Sequence, residues 1–392
     1  MRDLLDSLYL LAAVQGAVLA AALAARRKDP LANRILAALV AALSLMLLLG
    51  VLDLRWSFAG HPHLLALGTP LPFLFGPLLY LYVAALTRPA SRFEKRWLLH
   101  GLPFAADVLV MLPAFYLKSG PEKLAIAQAY LAGQAAPAKH VLEALQLLQA
   151  MSYLIASWIA LRRYARKMEG WFSDLARIDL RWLQSMVLAH AAVWSVVILS
   201  GALRAAGIAP ASLRSLEQAV QIGSALVVFA TGWVSLWQPA LFEKAQAARG
   251  AEPAPRPLPK YQRNRLEDEE AARLARTLTA KMSEDELYRD GALTLQALAD
   301  AIGVTPHMLS QVLNLHLRKS FFVLVNSYRA EALMAALADP GQRRRGVLDL
   351  ALEAGFNSKS TLNSFFKQYT GLTPSEFRAL RSRAKMRQVS TG

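Results

Sequence analysis

Seven apolar stretches in the first 240 residues constrain the fold of this chain more than any other feature. Each approaches or exceeds the ~20 residues that a helix needs to cross the hydrocarbon core of a bilayer. Lipid leaves unpaired backbone groups without a partner, which excludes an open sheet, and the stretches are too continuously apolar for barrel strands. The sequence therefore predicts an all-α protein with a seven-helix transmembrane bundle over residues 1–240. The predicted spans are 8–25, 35–54, 64–86, 98–117, 141–161, 182–203 and 216–238.

The composition agrees with a large lipid-facing surface. Hydrophobic residues make up 55% of the 392 residues and charged residues only 18%, which is too apolar for an ordinary soluble protein. Helices buried in a soluble bundle would carry polar faces, which these stretches lack. The first stretch is expected to be retained, because the basic run Arg26, Arg27 and Lys28 follows it, the reverse of the order in a signal peptide.

Basic residues predict the orientation of the bundle. Lys and Arg number fourteen in the alternate connections 26–34, 88–96 and 162–181, against seven in the N-terminus and the other connections. Because basic loops stay in the cytoplasm, we expect the N-terminus outside and everything after the seventh span inside. The formal net charge is +16, and the basic excess after residue 240 is of the kind that attracts nucleic acid.

After residue 240 the sequence predicts four further segments. Residues 241–265 include a Pro-rich run and are expected to form a semi-extended linker. Residues 266–290 are expected to form a connecting amphipathic helix with acidic residues in its first turn. Residues 291–385 hold two helix-turn-helix units, and residues 386–392 form a tail.

The two helix-turn-helix units form a degenerate repeat with an offset of 52 to 53 residues. Gly303 and Gly355 end the first helix of each unit, where the turn needs a positive φ. Thr305 and Ser358 are suitable N-caps for the second helices. Apolar residues at helical spacing predict the buried faces. These residues are Leu295, Leu298, Ala299, Ile302, Leu309, Val312 and Leu313 in the first unit, and Val347, Leu350, Ala351, Ala354, Leu362, Phe365, Phe366 and Tyr369 in the second.

A helix predicted over Phe321–Leu337 connects the units and stops at Pro340 and Gly341. At ~1.5 Å per residue it is roughly 25 Å long. That length can separate two recognition helices by a distance near one turn of duplex, ~34 Å, so that one domain reads two successive major grooves.

Residues 260–383 resemble the arabinose-regulator (AraC/XylS) family of bacterial transcription activators. The second unit carries the resemblance. Its matching residues are Ala351, Gly355, Phe356, Ser358, Ser360, Phe366, Lys367, Gly371, Thr373, Pro374, Phe377 and Arg378. Seven spans followed by such a domain resemble the membrane-bound branch of that family. The resemblance implies a multi-pass protein of the bacterial inner (cytoplasmic) membrane whose C-terminal domain binds DNA in the cytoplasm.

Under this resemblance, outward residues of the second helix of each unit contact DNA; the alternative is that they form solvated helix faces. Gln and Asn can pair with adenine, and Lys can donate to guanine. The residues expected to read base edges are His307, Ser310, Gln311, Lys359, Ser360, Asn363 and Ser364. Those expected to contact phosphate, which positions the protein without specifying sequence, are Ser358, Thr361, Lys367 and Arg378.

Two departures from the family pattern weaken the expected contacts. Ser364 stands where the family commonly has Arg. Arg318 and Lys319 stand where a Gly-containing turn is usual, which predicts a different helix end and a positive φ at Arg318. A dimer, or the basic run at residues 343–345, can compensate through phosphate contacts.

Ionisable residues inside the predicted spans are the candidates for sensing. Asp107 lies mid-segment in the fourth span and His190 in the sixth. They either pair with each other, line a ligand cavity, or make structural contacts between helices. Glu143, Gln146 and Gln149 share a face of the fifth span and form either packing contacts or a polar pocket. Proline and glycine residues interrupt the third span, which indicates either a binding site or a simple kink.

The sequence favours a membrane-embedded, DNA-binding transcriptional regulator over an enzyme. It contains none of the common catalytic or phosphate-binding motifs and has no Cys, so we expect no catalytic residue, no metal and no cofactor. The expected partners are promoter DNA, membrane lipid, an unknown signal ligand and, as a homodimer, a second copy of the chain. The alternative is a membrane receptor or transport protein whose C-terminal domain makes protein contacts instead of binding DNA.

Overall fold

A computed structural model of the chain describes residues 2–27, 30–55, 60–88, 93–131, 137–175, 180–206, 214–237 and 268–389. The described residues form helices joined by turns, and the only β-type pairing among them is one isolated antiparallel bridge between Phe172 and Thr294. The predicted all-α class is therefore confirmed. The chain forms two compact units, one of Met1–Arg162 with Leu180–Pro239 and one of Arg163–Asp179 with Ala240–Gly392.

Among the residues that the structure describes, the first unit contains eight α-helices, the sixth of which continues into the second unit. They are α1 Arg2–Ala25, α2 Pro30–Arg55, α3 Pro72–Thr87, α4 Leu102–Met111, α5 Gly120–Leu131, α6 Pro137–Glu169, α7 Arg181–Ala205 and α8 Arg214–Trp237. Helix α1 packs on α2 and α8, α2 also packs on α3 and α8, and α7 packs on α8. A 3-10 helix, Lys95–Gly101, leads into α4, and a π-helical turn, Leu112–Tyr116, follows it.

Six helical segments of the described chain are long and apolar enough to cross a bilayer. Five lie in the predicted membrane region: Ser7–Ala25, Pro30–Leu52, Lys95–Tyr116, His140–Glu169 and Arg181–Leu203. The sixth, Phe321–Ala338, lies in the second unit, where its side chains build two cores. The third and seventh predicted spans correspond to the shorter apolar helices Pro72–Thr87 and Gln218–Thr231, so the seven-span bundle stays a prediction.

The third predicted span, 64–86, is shorter in the structure than the sequence indicated. Helix α3 begins only at Pro72, because prolines before and at its start prevent helical hydrogen bonding there. Pro77 inside α3 cannot donate to the carbonyl of Phe73, and Gln149 Nε2 of α6 donates to that oxygen instead at 3.2 Å. Gln146 Nε2 donates to the Thr69 carbonyl at 2.9 Å. These glutamines therefore act as packing contacts.

Helix α5, Gly120–Leu131, lies in a region that the sequence reading treated as a connection between spans. Glu122 accepts hydrogen bonds from the backbone N–H and the hydroxyl of Ser119, at 2.9 and 2.6 Å, which caps the helix start. Lys123 is buried, with Nζ 3.0 Å from Nδ1 of His63. These contacts fix α5 against the 3-10 turn Pro62–Leu64.

The C-terminal part of the second unit is built around one long helix. The helices are α9 Asp268–Glu284, α10 Leu295–Ala301, α11 Pro306–Gln311, α12 Phe321–Ala338, α13 Val347–Glu353, α14 Lys359–Thr370 and α15 Pro374–Val389. Phe321, Leu324 and Val325 of α12 join the first core, formed with α9, α10 and α11. Ala330, Leu333 and Leu337 join the second, formed with α13, α14 and α15. The predicted central helix is confirmed, and it belongs to both cores.

Residues 171–175, which we call the strap, pack on this helical domain. The Trp171 carbonyl accepts from the Leu295 N–H at 3.0 Å, and the Ser173 hydroxyl donates to the Leu293 carbonyl at 2.7 Å. Asn326 Nδ2 donates to the Ser173 carbonyl at 2.9 Å. The sequence-based boundary at residue 240 assigned these residues to the membrane domain, whereas in the structure they cluster with the C-terminal unit because α10 and α12 supply their hydrogen-bond partners.

Candidate nucleic-acid interface

Each helix-turn-helix unit has the turn and the cap that its sequence predicted. Gly303 and Gly355 have φ angles of 71° and 94°. The Thr305 hydroxyl accepts from the Met308 N–H at 3.2 Å, and the Ser358 hydroxyl accepts from the Thr361 N–H at 3.1 Å. A side chain in the left-handed region is unfavourable, and each cap satisfies one backbone donor of a helix start. These local choices set the angle at which each second helix leaves its turn.

The first recognition helix, α11, is short and continues as a π-helical turn, Val312–His316. Its predicted buried residues Leu309, Val312 and Leu313 are buried. His307 is exposed, whereas Ser310 and Gln311 are half-buried. Gln311 Nε2 lies 3.2 Å from Nε2 of His307. The three predicted base-reading residues thus share the polar face of this helix.

The end of this helix differs from the usual glycine turn, as the sequence predicted. Arg318 has a φ of 52°, which is unfavourable for a residue with a Cβ. The Leu317 and Lys319 N–H groups donate to the carbonyls of Val312 and Leu313, each at 3.0 Å. These two hydrogen bonds hold the π-helical turn closed and keep Arg318 in its positive-φ conformation.

The second recognition helix, α14, is twice as long as α11 and ends at Gly371, whose φ is 79°. Leu362, Phe365 and Phe366 face the core as predicted. The prediction for Tyr369 is wrong: the residue is 44% exposed, with its ring stacked on Phe365 and its hydroxyl donating to Glu331 Oε1 at 2.7 Å. The outward face carries the predicted base-reading residues Lys359, Ser360, Asn363 and Ser364, which are all exposed.

The four predicted phosphate-contacting residues have different surroundings. Lys367 is exposed on the same helix. Ser358 is half-buried at the cap, and Thr361 is only 7% exposed. Arg378 is half-buried in α15, and its Nη1 donates to the Arg345 carbonyl at 2.8 Å. In this conformation Arg378 stabilises the fold around the second helix-turn-helix unit, and its phosphate contact stays a prediction.

A carboxylate from the strap lies at the start of α14. Asp174 Oδ1 accepts from the Thr361 hydroxyl at 3.0 Å, and the Ser358 hydroxyl oxygen lies 3.4 Å from the same atom. The Ser358 hydroxyl also lies 2.8 Å from Thr361 Oγ1. Two predicted phosphate-contacting hydroxyls therefore face a negative charge of the protein itself.

Arg329 hydrogen-bonds both the strap and the segment before α10. Its side chain is fully buried in α12. Nε and Nη2 donate to the carbonyls of Tyr288 and Asp290, both at 2.8 Å, and Nη2 also donates to the Ser173 hydroxyl at 3.1 Å. Burial lowers the pKa of Arg329 to about 10, partly offset by the charges of Asp174 and Asp290. The guanidinium therefore remains charged at neutral pH and holds the strap by hydrogen bonds.

The basic run between the units is partly engaged in the fold. Arg345 pairs with Glu353 and donates to Gln342 Oε1 at 3.2 Å. The hydrogen bond from Arg345 lowers the pKa of the Glu353 carboxyl. Arg343 and Arg344 are exposed. These two arginines are therefore the members of the run whose side chains face solvent.

The sensing candidates both lie in buried positions of the first unit. Asp107 in α4 is 2% exposed and His190 in α7 is 5% exposed. His190 Nδ1 lies 2.9 Å from the Met186 carbonyl oxygen, four residues earlier in the same helix. That contact is structural, and a sensory role for either residue stays a prediction.

Sequence reasoning missed the strap and the two buried residues that hold it, Asn326 and Arg329. Asn326 and Arg329 did carry a signal, since they are polar residues on the buried side of an otherwise apolar helix and such groups need partners. Their partner Ser173 carries none, because it lies 153 and 156 residues earlier in the chain. Asp174 was likewise recognisable only once the chain had folded.

Comparison with known proteins identifies one part of the chain. Residues 298–380 match a protein family described as a helix-turn-helix domain. The matched range begins within α10 and ends within α15, so it includes the central helix, the second helix-turn-helix unit and all but the start of the first. No curated protein and no solved structure matches the chain significantly. Residues 298–380 are an AraC-type helix-turn-helix domain, which supports a DNA-binding transcription regulator.

Proposed function

We propose that this protein is a membrane-embedded transcriptional regulator that couples a membrane or extracytoplasmic signal to sequence-specific promoter binding. The observation that carries the proposal is the pair of capped recognition helices on one rigid helix. Both present polar residues outward and bury apolar residues, together with Thr361 in the second helix. Such a face has no role in the core, and polar and basic side chains on it suit base edges and phosphates.

The central helix gives the domain a span suited to two grooves. Helix α12 has 18 residues, which corresponds to roughly 27 Å. Successive major grooves on one side of a duplex lie ~34 Å apart, and recognition helices at the two ends of α12 can approach that separation. We therefore expect a bipartite operator, with Gln311 and His307 reading one part and Lys359 and Asn363 the other.

The surface of the first unit supports membrane embedding. Large apolar side chains on several helices face outward, including Val18, Leu109, Leu148 and Leu226, which are 61–68% exposed. In water such surfaces are costly, whereas in a bilayer they contact acyl chains. Promoter binding from this location restricts the regulator to DNA near the membrane.

The strap supports the proposed topology. Residues 163–179 and 240–392 belong to one compact unit, which favours a topology with both segments on the same side of a membrane. Helices α7 and α8 separate these two segments along the chain, and two crossings return a chain to the side where it started. The positive-inside rule favours a cytoplasmic location for the basic connection 162–181, and this supports the proposed cytoplasmic location of the DNA-binding domain.

The strongest rival is a membrane receptor or transport protein whose C-terminal domain binds another protein. It predicts that the recognition faces have no salt-dependent affinity for duplex DNA. To decide, the full chain is purified in detergent and used to select bound duplexes from a random library at low and near-physiological salt. Lys359→Ala and Gln311→Ala are selected in parallel, with Arg276→Ala, an exposed cation of α9, as the matched control.

We expect a bipartite motif for the wild type. Each recognition-helix variant should lose preference in its own half, by about 1 to 3 kcal/mol at the base concerned, whereas Arg276→Ala should keep the whole motif. A wild type that enriches no motif even at low salt, also as a forced dimer, favours the protein-binding rival.

Topology is tested separately, because the chain has no native cysteine. Ser119→Cys and Ser283→Cys each introduce one exposed thiol, before α5 and within α9. In intact cells a membrane-impermeant maleimide should label Ser119→Cys only, and Ser283→Cys should react after permeabilisation. Labelling of Ser283→Cys in intact cells contradicts the cytoplasmic assignment.

A further inference from the structure

The strap is held by a receptor built into the DNA-binding domain. Ser173 is 1% exposed, and its backbone and hydroxyl together contact the Leu293 carbonyl, Asn326 and Arg329. Asn326 and Arg329 are themselves fully buried. Burying an amide and a guanidinium is costly unless they are hydrogen-bonded, so this receptor is stable when a polar backbone segment fills it.

Asp174, the residue after Ser173 in the strap, brings its carboxylate to the second recognition helix. The Asp174 carboxylate lies on the hydroxyls of Ser358 and Thr361, at the N-terminus of α14. Free N–H groups and the helix dipole make this end of the helix attractive to an anion. A DNA phosphate would use the same hydroxyls and the same helix end, and the carboxylate would repel it.

We propose that the strap is a built-in competitor of DNA: Asp174 occupies the phosphate site of the second recognition helix and must leave before that helix docks on a duplex. The inference rests on the proposed function. The two caps differ in the described residues: the Thr305 hydroxyl of the first recognition helix accepts from the Met308 N–H, whereas the described contacts of Asp174 lie at Ser358 and Thr361 of the second. Strap binding therefore controls the second half of the interface.

The position of the strap in the chain connects this control to the first unit. The strap begins two residues after α6 ends at Glu169, and α7 begins at Arg181. Both helices contain segments apolar enough to span a membrane. A signal that moves α6 or α7 pulls on the strap directly, without needing the linker before α9. The signal then shifts an equilibrium between strap-bound and DNA-bound domains.

The first test removes the carboxylate from the full chain in detergent. Asp174→Ala should bind its selected duplex about tenfold more tightly than the wild type, within the usual range for coupled sites. If a phosphate takes the vacated position, the slope of log affinity against log salt should steepen by about 0.9. Asp174→Asn, which keeps the shape, should gain part of the affinity. Glu284→Gln, which removes one exposed negative charge from α9, should change neither quantity beyond a general charge effect.

The second test locks the strap in place. Phe172 and Thr294 face each other in the antiparallel bridge, and the adjoining Leu295–Trp171 hydrogen bond identifies them as a non-hydrogen-bonded pair. Such pairs have Cα atoms ~4.5 Å apart, close enough for a disulfide. In the cysteine-free chain, Phe172→Cys with Thr294→Cys should bind duplex weakly when oxidised and regain affinity on reduction. Adding Asp174→Ala should remove most of the oxidative loss.

The outcomes separate the two proposals. If wild type and Asp174→Ala bind duplex equally, with equal salt slopes, or if oxidation leaves affinity unchanged, the strap is merely structural and this inference is wrong while DNA binding stands. If neither wild type nor Asp174→Ala binds duplex at low salt, the proposed function fails and the strap competition fails with it.

Discussion

The two helix-turn-helix units have matching sequence patterns but differ in how their recognition helices end and in what covers them. The first recognition helix has six α-helical residues, continues as a π-helical turn and stops at Arg318 with a φ of 52°. The second has twelve residues and stops at Gly371 with a φ of 79°. The cap of the second, Ser358, faces the Asp174 carboxylate. A repeated pattern thus specifies a repeated backbone but not equivalent binding surfaces.

The difference between the units has a physical origin in the residues around each turn. Gly355 lies so close to the segment before α10 that an added Cβ would come within 2.4 Å of the Tyr288 carbonyl oxygen. Within the described residues, a Cβ added at Gly303 meets no atom within 4 Å. The second turn is therefore packed against the rest of the domain near the strap receptor, and the first is open.

The largest expected effect on stability comes from replacing Arg329, a buried residue of the central helix α12 that both helix-turn-helix units share. Arg329→Ala should destabilise the domain by about 3 to 5 kcal/mol, because the carbonyls of Tyr288 and Asp290 lose their charged donor. Arg329→Met keeps most of the volume and should cost less. Hydrogen exchange of α12 in the full chain measures the change, with Arg276→Ala as a neutral control. A loss below about 1 kcal/mol for Arg329→Ala contradicts the assigned role.

The turn glycines sharpen the comparison as a matched pair. Gly303→Ala should cost about 1 to 2 kcal/mol, the penalty of a Cβ at positive φ. Gly355→Ala adds the collision with Tyr288 and Arg289 backbone and should cost about 3 to 4 kcal/mol. Denaturant unfolding of both variants measures the gap. Equal losses would mean that the second turn is as open as the first.

The helix ends form a smaller, mirrored pair. Arg318→Gly should stabilise the domain by about 0.5 kcal/mol, because relief of the positive φ exceeds the entropic disadvantage of glycine. Gly371→Ala should destabilise it by about 1 kcal/mol for the opposite reason. Both changes are read as shifts in thermal unfolding. Lys319→Gly, at a residue without a positive φ, should give no gain.

The smallest effect is a pH dependence of stability that arises from Glu376, after the second helix-turn-helix unit. Glu376 accepts from the Thr373 backbone N–H at 2.7 Å and from its hydroxyl at 2.8 Å, and these bonds lower the pKa of the Glu376 carboxyl. The stabilisation is therefore complete above the ordinary pKa of ~4.3 and is lost as the pH falls through the lower folded value. Helix α12, which follows the first helix-turn-helix unit, is capped by Ser320 and has no acidic residue in its first turn.

Unfolding of wild type and Glu376→Gln between pH 7 and pH 3 tests this asymmetry. The stability difference should shrink towards pH 3, because the wild-type carboxyl becomes neutral there. A difference that stays constant with pH assigns the effect to shape and excludes the charge of Glu376.

Local structure in the two helix-turn-helix units could be predicted from particular residues. Gly303, Thr305, Gly355 and Ser358 set turns and caps within a few positions of themselves, so their conformations depend on neighbours in sequence. The positive φ at Arg318 also followed from a local mismatch. Tyr369 was misplaced because helical spacing alone assigned it to the apolar face, whereas stacking on Phe365 and a hydrogen bond to Glu331 hold it outside.

In the compact unit formed by Met1–Arg162 and Leu180–Pro239, local sequence predicted less of the structure. Apolar stretches predicted where helices lie, but the third proved shorter, because prolines stop a helix even where hydropathy continues. The exchange of the missing Pro77 donor for Gln149 could not be read from either segment alone. The unpredicted helix α5 depends on a local cap at Ser119 and Glu122, a signal present in the sequence but hidden among connections.

By itself, the sequence determined the helical class, the two helix-turn-helix units, their turns and caps, and the outward polar faces of the recognition helices. These features follow from periodicity and from residues that act on their immediate neighbours. Only the tertiary structure decided that Ser173 fills the receptor of Asn326 and Arg329 and that Asp174 meets Ser358 and Thr361. Buried polar groups require partners, but which distant segment supplies them depends on how the chain packs, and no local pattern encodes that choice.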